Sequence, residues 1–470
     1  MRIYCINPPS ESTRYVREGR CMQREESWAN LWQPISLAYT TSILRNDGHE
    51  VILRDATAEN WSFERMKREI EEFRPDLAII NSSVPTCKNT DIKTARIIKE
   101  INKNCVTVMV GIPPTLPIIR DELIVDKSLD ICIRNEFEFT TRNLANNLKN
   151  YKKIKGITFK FRERIFNNPK APFIDLNRLP FAAIEDLPLD AYKLPFTKEK
   201  VCMIEQSRGC PFNCAFCVAS IYYGKKIRYR NAQKVVDEME HVYKNFGIRQ
   251  FFFWADTFTL ARKNVIEICD EIIKRKLNVN WLANSRVDCV DRRLLEKMKR
   301  AGCWLIGFGV ESCVQKILDN VGKKINLTQI NRAINLCKEV GIKSATHIIF
   351  GLPGETRDTI KETIDTLKKI DPDYANFYIA IPYPGTRLYK EYKKLGYIRN
   401  YDWSKYEICE AVIDLPNLPG KEIKKLRKEA ILKFYFRRCF FKRFIKEHKN
   451  LSVLMNSVCD VIKFLYGWME

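Results

Sequence analysis

The sequence predicts an α/β protein: an N-terminal doubly wound, flavodoxin-like (Rossmann-like) domain, then a partial (βα)6 TIM-type barrel, then a helical C-terminal tail. Three observations carry this expectation. Short apolar runs alternate with amphipathic stretches through residues 1–150, a second alternation of six such units starts near Val201, and from about Gly420 the chain turns basic, aromatic and helical. Alternating strand and helix is the one-dimensional trace of a parallel sheet covered on both faces. The expected boundaries are 1–150 for the first domain, 151–198 for a linker, 199–395 for the barrel and 396–470 for the tail.

In the first domain the apolar runs Arg2–Asn7, Glu50–Asp55, Asp76–Asn81, Cys105–Val110 and Ile131–Arg134 read as strands. Ser36–Asn46, Ser62–Phe73, Asp91–Asn102 and Thr140–Lys149 read as the helices between them. Open sheets of this kind bind ligands at the carboxyl ends of their strands. The segments there are Pro8-Pro9-Ser10, Ser82-Ser83-Val84-Pro85, Gly111 to Thr115, and Asn135-Glu136. Phe166-Asn167-Asn168-Pro169 and Pro180, Pro188 and Pro195 mark residues 151–198 as a connector.

In the barrel Val201–Glu205, Gln250–Trp254, Val279–Ala283, Trp304–Phe308, Ala345–Phe350 and Tyr374–Ala380 read as strands. Ala232–Phe246, Arg262–Lys276, Arg293–Ala301, Leu327–Val340 and Asp358–Ile370 read as the helices between them. Barrel chemistry sits on the loops that follow the strands, so motifs in those positions weigh most.

The 80 Lys and Arg against 57 Asp and Glu give a net charge of +23, which calls for an anionic partner: nucleic acid, an anionic membrane surface or phosphorylated ligands. Between Lys421 and Lys449 stand twelve Lys/Arg and three Glu, interleaved with Phe434, Tyr435, Phe436, Phe440, Phe441 and Phe444. Leu451, Leu454, Met455, Val458, Ile462, Leu465 and Trp468 then recur at helical spacing, as on an interfacial helix. This concentration favours a membrane surface over nucleic acid. A spanning helix needs about 20 mostly apolar residues. The uncharged runs Ser27–Leu44 and Asn104–Ile119 are shorter and carry prolines. No charged-then-apolar leader opens the chain, and the 17 cysteines show no evenly spaced framework. A cytoplasmic protein with reduced thiols is expected, peripheral on the inner face of the membrane.

Reduced cysteines invite a metal search. Directly after the first barrel strand stands Ser207-Arg208-Gly209-Cys210-Pro211-Phe212-Asn213-Cys214-Ala215-Phe216-Cys217. Three thiolates so closely spaced can converge on one cuboidal iron–sulfur cluster, leaving one iron without a protein ligand. Structural zinc prefers two spaced pairs, and no second pair or histidine partner follows. The remaining cysteines, Cys303 and Cys313 among them, read as core fillers, and His347 as a core histidine of the fifth barrel strand.

At this loop the chain resembles the radical S-adenosylmethionine superfamily, in which the Cys-x3-Cys-x2-Cys spacing and the aromatic at Phe216 mark the site of a [4Fe-4S] cluster. The resemblance implies that S-adenosyl-L-methionine binds the open iron and is split to a 5′-deoxyadenosyl radical after injection of an electron from a flavodoxin- or ferredoxin-type donor. It implies contacts to adenosylmethionine from Phe216, from Asp256 to the amino group and from Arg286 to the carboxylate. Glu311 would reach the ribose or the amino group, and Gly351 and Leu352 the adenine. A flavodoxin-like domain ahead of the barrel resembles the cobalamin-binding branch, with its anaerobic protoporphyrin-ester cyclases and hopanoid-pathway enzymes. Gly48-His49-Glu50-Val51, Leu179-Pro180-Phe181 and Pro382-Tyr383-Pro384-Gly385-Thr386 resemble that branch as well. The implied cobalamin contacts are Pro9, Ser82, Ser83, Val84, Gly111, Pro113, Thr115 and Glu136. No Asp-x-His-x-x-Gly supplies a histidine to cobalt.

The expectation is therefore a cobalamin-dependent radical enzyme that functionalises an unactivated carbon, most naturally by methylation and of a lipid. Its alternative is a radical cyclase or a C–C bond-forming or oxidising enzyme without methyl transfer. A tRNA-modifying methylthiotransferase fits less well, because the N-terminal cysteines are scattered and the tail is helical.

Overall fold

The structure, a computed structural model, describes residues 1–11, 15–18, 23–24, 31–83, 85–194, 197–440 and 443. Two sheets organise it. The first contains β1 (Arg2–Asn7), β2 (Glu50–Asp55), β3 (Leu77–Asn81), β4 (Val106–Val110), β5 (Ile131–Ile133), β6 (Ile157–Phe161) and β7 (Arg164–Asn167), in the order β2-β1-β3-β4-β5-β6-β7. β1 to β5 run parallel, which is the expected doubly wound arrangement, and its strand order reverses between β1 and β3. Such parallel strands are buried on both faces, so β3 (LAIIN) is apolar except at its end.

Two elements here escape the sequence reading. Pro117–Ile124 is a helix inside the proline-rich turn, with Pro117 at its first position, where the missing N–H leaves no bond unmade. Within 151–198, Ile157, Phe159 and Phe161 alternate at period two, and β6 and β7 form an antiparallel hairpin that extends the sheet.

The second sheet holds β8 (Val201–Arg208), β9 (Arg228–Tyr229), β10 (Gln250–Ala255), β11 (Asn280–Ser285), β12 (Cys303–Glu311), β13 (Lys343–Phe350) and β14 (Tyr374–Ile379), in the order β9-β8-β10-β11-β12-β13-β14. Six of these strands are parallel and consecutive, as in an open (βα)6 barrel; only β9 pairs antiparallel. The helices between them start and stop on local chemistry. The Asn231 side chain accepts from the Gln233 and Lys234 N–H groups at the head of Ala232–Phe246, and Gly247 ends that helix in the left-handed region. Asn326 with Gln329, and Thr356 with Thr359, form reciprocal capping boxes.

The tail's first helix, Gly420–Tyr435, closes the open edge of the barrel. Its Tyr435 hydroxyl donates to the Ala375 carbonyl of β14 at 2.8 Å, and Arg427 Nε donates to the Phe377 carbonyl at 2.8 Å. An uncovered edge strand would invite pairing with another chain. The apolar stripe from Leu451 onward lies outside the described residues. No helix among the described residues is long and apolar enough to cross a membrane.

The two sheets share one continuous apolar core, from Ile3 and Leu53 through Tyr192 and Val201 to Ile431. Polar pins cross it. The Gln33 amide donates to the Val201 carbonyl at 2.6 Å and accepts from Met203 N–H at 3.2 Å, extending β8 with a side chain. The Tyr39 hydroxyl donates to Glu238 at 3.0 Å and accepts from Arg230 at 3.0 Å, while Arg230 and Glu238 pair at 2.5 Å. Removing one member of a buried pair leaves an uncompensated charge. Arg230→Met should therefore cost about 3–5 kcal/mol, read as a lower urea midpoint. Lys244→Met, which breaks an exposed i,i+4 pair with Glu240, should cost less than about 0.5 kcal/mol. Equal effects would show that the domain interface does not depend on this pair.

Candidate cluster and cofactor site

β8 is buried along its whole length and ends at Arg208, so the next residues emerge at the barrel's carboxyl face. Gly209 has φ +94°, and a Cβ there would collide with the Lys226 carbonyl oxygen. Only glycine lets the chain turn so tightly. The turn is held from both sides: Gly209 N–H donates to Asp256 Oδ2 at 2.6 Å, and Cys210 N–H to the Gly224 carbonyl at 3.1 Å. Cys217 N–H then donates to the Cys214 carbonyl at 3.2 Å, and Ala219 N–H points at Cys217 Sγ at 3.4 Å.

Cys210, Cys214 and Cys217 line one cavity of about 280 Å³ together with Phe216, Asp256, Arg286 and Glu311. No three His, Cys, Asp or Glu donors among the described residues meet at single-ion distance. Three thiols on the wall of one cavity suit an iron–sulfur cluster with one iron left open. Burial pushes the Cys214 thiol up, and Lys323 acts against that shift. Elsewhere burial pushes Cys5, Cys87, Cys132, Cys269, Cys313 and Cys337 to about 12, and Cys303 well above its ordinary value, which leaves them inert packing groups.

The opposite polar wall comes from later strands. Glu311 ends β12 with φ +69°, a conformation rarely adopted outside glycine, asparagine and aspartate. It turns the carboxylate into the cavity, where Oε1 meets Lys323 Nζ at 2.6 Å, both groups buried. Gly309 makes room: a Cβ there would stand 2.6 Å from Glu311 Oε1 and 2.8 Å from Lys323 Nζ. Lys323 escaped the sequence reading because a lone lysine in so basic a chain carries no signal.

Of the other implied adenosylmethionine contacts, Arg286 lines the cavity, whereas Gly351 and Leu352 do not. The Arg286 fork is engaged by Asp288, through Nε and Nη2 at 2.9 Å each, and its guanidinium stacks 3.6 Å over the Phe212 ring. The Gly351 and Leu352 N–H groups donate to Glu355 Oε2 at 2.5 and 3.1 Å. His347 lines the cavity, its Nδ1 3.0 Å from the Tyr378 hydroxyl, and burial lowers its pKa to about 4, so it is neutral at ordinary pH. Beyond it the wall turns apolar with Ile349, Ile379, Ala380, Ile381 and Ile408.

At the carboxyl edge of the first sheet Pro9, Ser82, Ser83 and Pro113 are buried. Val84 lies outside the described residues. Gly111 has φ +108°, and a Cβ there would strike the Ser82 carbonyl, so the ends of β3 and β4 approach closely. Thr115 Oγ1 accepts the Asn135 N–H at 2.7 Å. Glu136 differs from its implied role. Arg228 holds both its oxygens at 2.7 and 2.9 Å, and Ile174 N–H donates to it at 2.8 Å. Asn135 Nδ2 donates to the carbonyls of Ile221 and Tyr222, in the helix that follows the cysteine loop, at 2.9 and 2.8 Å. The end of β5 is thus committed to the barrel. The ends of β1, β3 and β4 bring Pro9, Ser82, Ser83, Gly111 and Pro113 to one edge of the sheet, with no histidine among these residues.

A doubly wound sheet packed on an open barrel, with a three-cysteine loop at the barrel's carboxyl face, defines a two-domain α/β protein with a candidate iron–sulfur site. The Radical SAM superfamily model matches residues 204–367, and the B12 binding domain model residues 26–145. The "Uncharacterized methyltransferase PH0819" of Pyrococcus horikoshii is 32% identical over 99% of each chain. The anaerobic magnesium-protoporphyrin IX monomethyl ester cyclase of Rubrivivax gelatinosus is 29% identical over 93% of this chain and 80% of its own. The solved structure of the radical S-adenosylmethionine methyltransferase TsrM from Kitasatospora setae superposes with a TM-score of 0.69 at 18% identity, covering 85% of this chain and 79% of that one. The chain belongs to the cobalamin-binding branch of the radical S-adenosylmethionine superfamily, whose cofactors are a [4Fe-4S] cluster, S-adenosylmethionine and cobalamin.

Burial raises the Glu355 carboxyl from 4.5 to about 8. A raised acid stabilises the fold fully below its unfolded value and loses that contribution as pH rises through the folded one. Urea midpoints should therefore fall more steeply from pH 5 to pH 8 in the native chain than in Glu355→Gln. Parallel curves would contradict the shift.

Proposed function

We propose that this chain is a cobalamin-dependent radical S-adenosylmethionine methyltransferase that methylates an unactivated carbon of an apolar, lipid-like substrate. One observation carries the reading. The Tyr406 carbonyl accepts from Thr86 Oγ1, just after β3, at 3.0 Å and from the cavity-lining Tyr383 hydroxyl at 3.3 Å. The segment after β3, at the carboxyl edge of the first sheet, and the cavity beside the cysteine loop are therefore neighbours across a single peptide group.

When bound, the cofactors supply a hydrogen-abstracting radical and a methyl carrier; an external flavodoxin- or ferredoxin-type donor supplies the electron. The chain's own residues do the rest. Cys210, Cys214 and Cys217 would hold the cluster. Asp256 stays fixed to the cysteine loop through Gly209, and the Glu311–Lys323 pair presents a carboxylate to the polar half of the cavity. The wall from Ile349 to Ile408 brings no charged group to the other half, so an apolar segment enters there without leaving a buried charge unpaired. Exclusion of water along that wall shields a reactive intermediate.

The cyclase relative supports a second reading, ring closure or oxidation without methyl transfer. Incubation of the anaerobically reconstituted chain with a lipid extract and methyl-labelled S-adenosylmethionine separates the two. Methylation puts the label into an apolar product and forms 5′-deoxyadenosine, and Cys214→Ala does neither. An unlabelled, hydrogen-deficient product would instead favour the second reading.

A further inference from the structure

The β6–β7 hairpin carries features that the site does not use. From Lys149 to Lys170 the chain has eight Lys/Arg and one acid, Glu163. Lys160 pairs with that acid at 2.8 Å, so the segment remains strongly cationic. The hairpin is also greasy at its tip: Phe161, Ile165 and Phe166 are 39%, 37% and 42% exposed. Phe161 ends β6, and Ile165 and Phe166 lie on β7, the outermost strand, whose four residues are all exposed.

The rings form a ladder leading out of the core. Tyr151 meets buried Phe159 edge-on at 5.4 Å; Phe159 stacks on its cross-strand partner Phe166 at 5.4 Å and 13°, and Phe166 approaches Phe161 at 6.5 Å. Lys152 caps Phe161, its Nζ 3.4 Å from the ring centroid. The two turn residues, Arg162 and Glu163, both have positive φ, at +47° and +61°. Hairpins usually place Asn-Gly or Asp-Gly there. In this turn two charged side chains hold the strained conformation and project from the tip.

We propose that this hairpin docks the protein on an anionic lipid surface, with Phe161, Ile165 and Phe166 at the headgroup level and the surrounding Lys and Arg paired with lipid phosphates. Exposed aromatics flanked by Lys and Arg match the composition of a membrane interface. The arrangement favours lipid over single-stranded nucleic acid. Base stacking needs open ring faces on one side of a sheet. Here Phe159 already covers one face of Phe166, and aliphatic Ile165 pairs with Lys160 on the opposite side of the hairpin from the Phe159–Phe166 pair. An inserted tip uses apolar groups on both sides. The hairpin is distinct in sequence from the tail stripe beyond Leu451, and docking through the hairpin does not depend on the radical chemistry.

Co-sedimentation of the full chain with phosphatidylcholine vesicles, with or without phosphatidylglycerol, tests the proposal, using Phe161→Ser/Ile165→Ser/Phe166→Ser, Lys152→Gln/Arg162→Gln/Arg164→Gln and a chain ending at Arg443. Native protein should sediment with the anionic vesicles only, and less at high salt. Each hairpin variant should bind about tenfold more weakly or worse, since each basic group near such a surface contributes on the order of 1 kcal/mol. Unchanged circular dichroism melting keeps the comparison clean, because all six side chains lie outside the core. Hairpin variants that sediment like native protein would overturn the proposal, whether or not the truncated chain loses binding. So would native protein that ignores anionic vesicles but binds an oligouridylate through the same residues.

Discussion

The arrangement of the cysteine loop against the first domain depends on one buried guanidinium. Arg208 is the last residue of β8, two positions before the first cluster cysteine. It donates through Nε and Nη2 to Glu205 at 3.0 and 2.9 Å and through Nη2 to Glu138 of the first domain at 2.6 Å, with Glu136 at 3.6 Å. All four groups are about 1% exposed or less. Burial raises Glu205 to about 7 against the pull of Arg208. Taking such charges out of water costs several kcal/mol per ion and is offset only when the geometry is met. The network therefore has essentially one arrangement, and that arrangement fixes the cysteine loop relative to the cofactor domain.

From that fixed point the cavity follows. The loop leaves Arg208 through a left-handed glycine and is tied to Asp256. The facing wall is set by a glutamate in an equally uncommon backbone region, paired with a lysine. Strain at Glu311 and buried charge at Lys323 are tolerated because packed strands on both sides over-determine them. The polar half of the cavity thus faces the cysteines, and the apolar half faces the segment around Tyr406 that also touches the first domain.

Much of this was legible in the sequence because it rests on local rules. Strand and helix periodicity located both sheets, and the cysteine spacing located the loop. What escaped depends on tertiary partners. Arg286 lines the cavity but shares its fork with Asp288 two residues on, and Glu136 is held by Arg228, which lies 92 residues away in sequence. Gly351 and Leu352 face a glutamate four or three residues on, a choice that a backbone decides and a motif cannot. Lys323 becomes visible only when Gly309 and Glu311 close around it. The β6–β7 hairpin was obscured by the turn-forming Asn167-Asn168-Pro169 at its end.

The central claim is that three cysteines hold a cluster whose remaining iron opens onto the polar half of this cavity. Electron paramagnetic resonance of the reduced, reconstituted chain tests it most directly. An open iron predicts a spectrum that changes on addition of S-adenosylmethionine and a signal that is lost in Cys210→Ala, Cys214→Ala and Cys217→Ala alike. A spectrum indifferent to S-adenosylmethionine, or one that survives removal of any of the three thiols, would contradict the account.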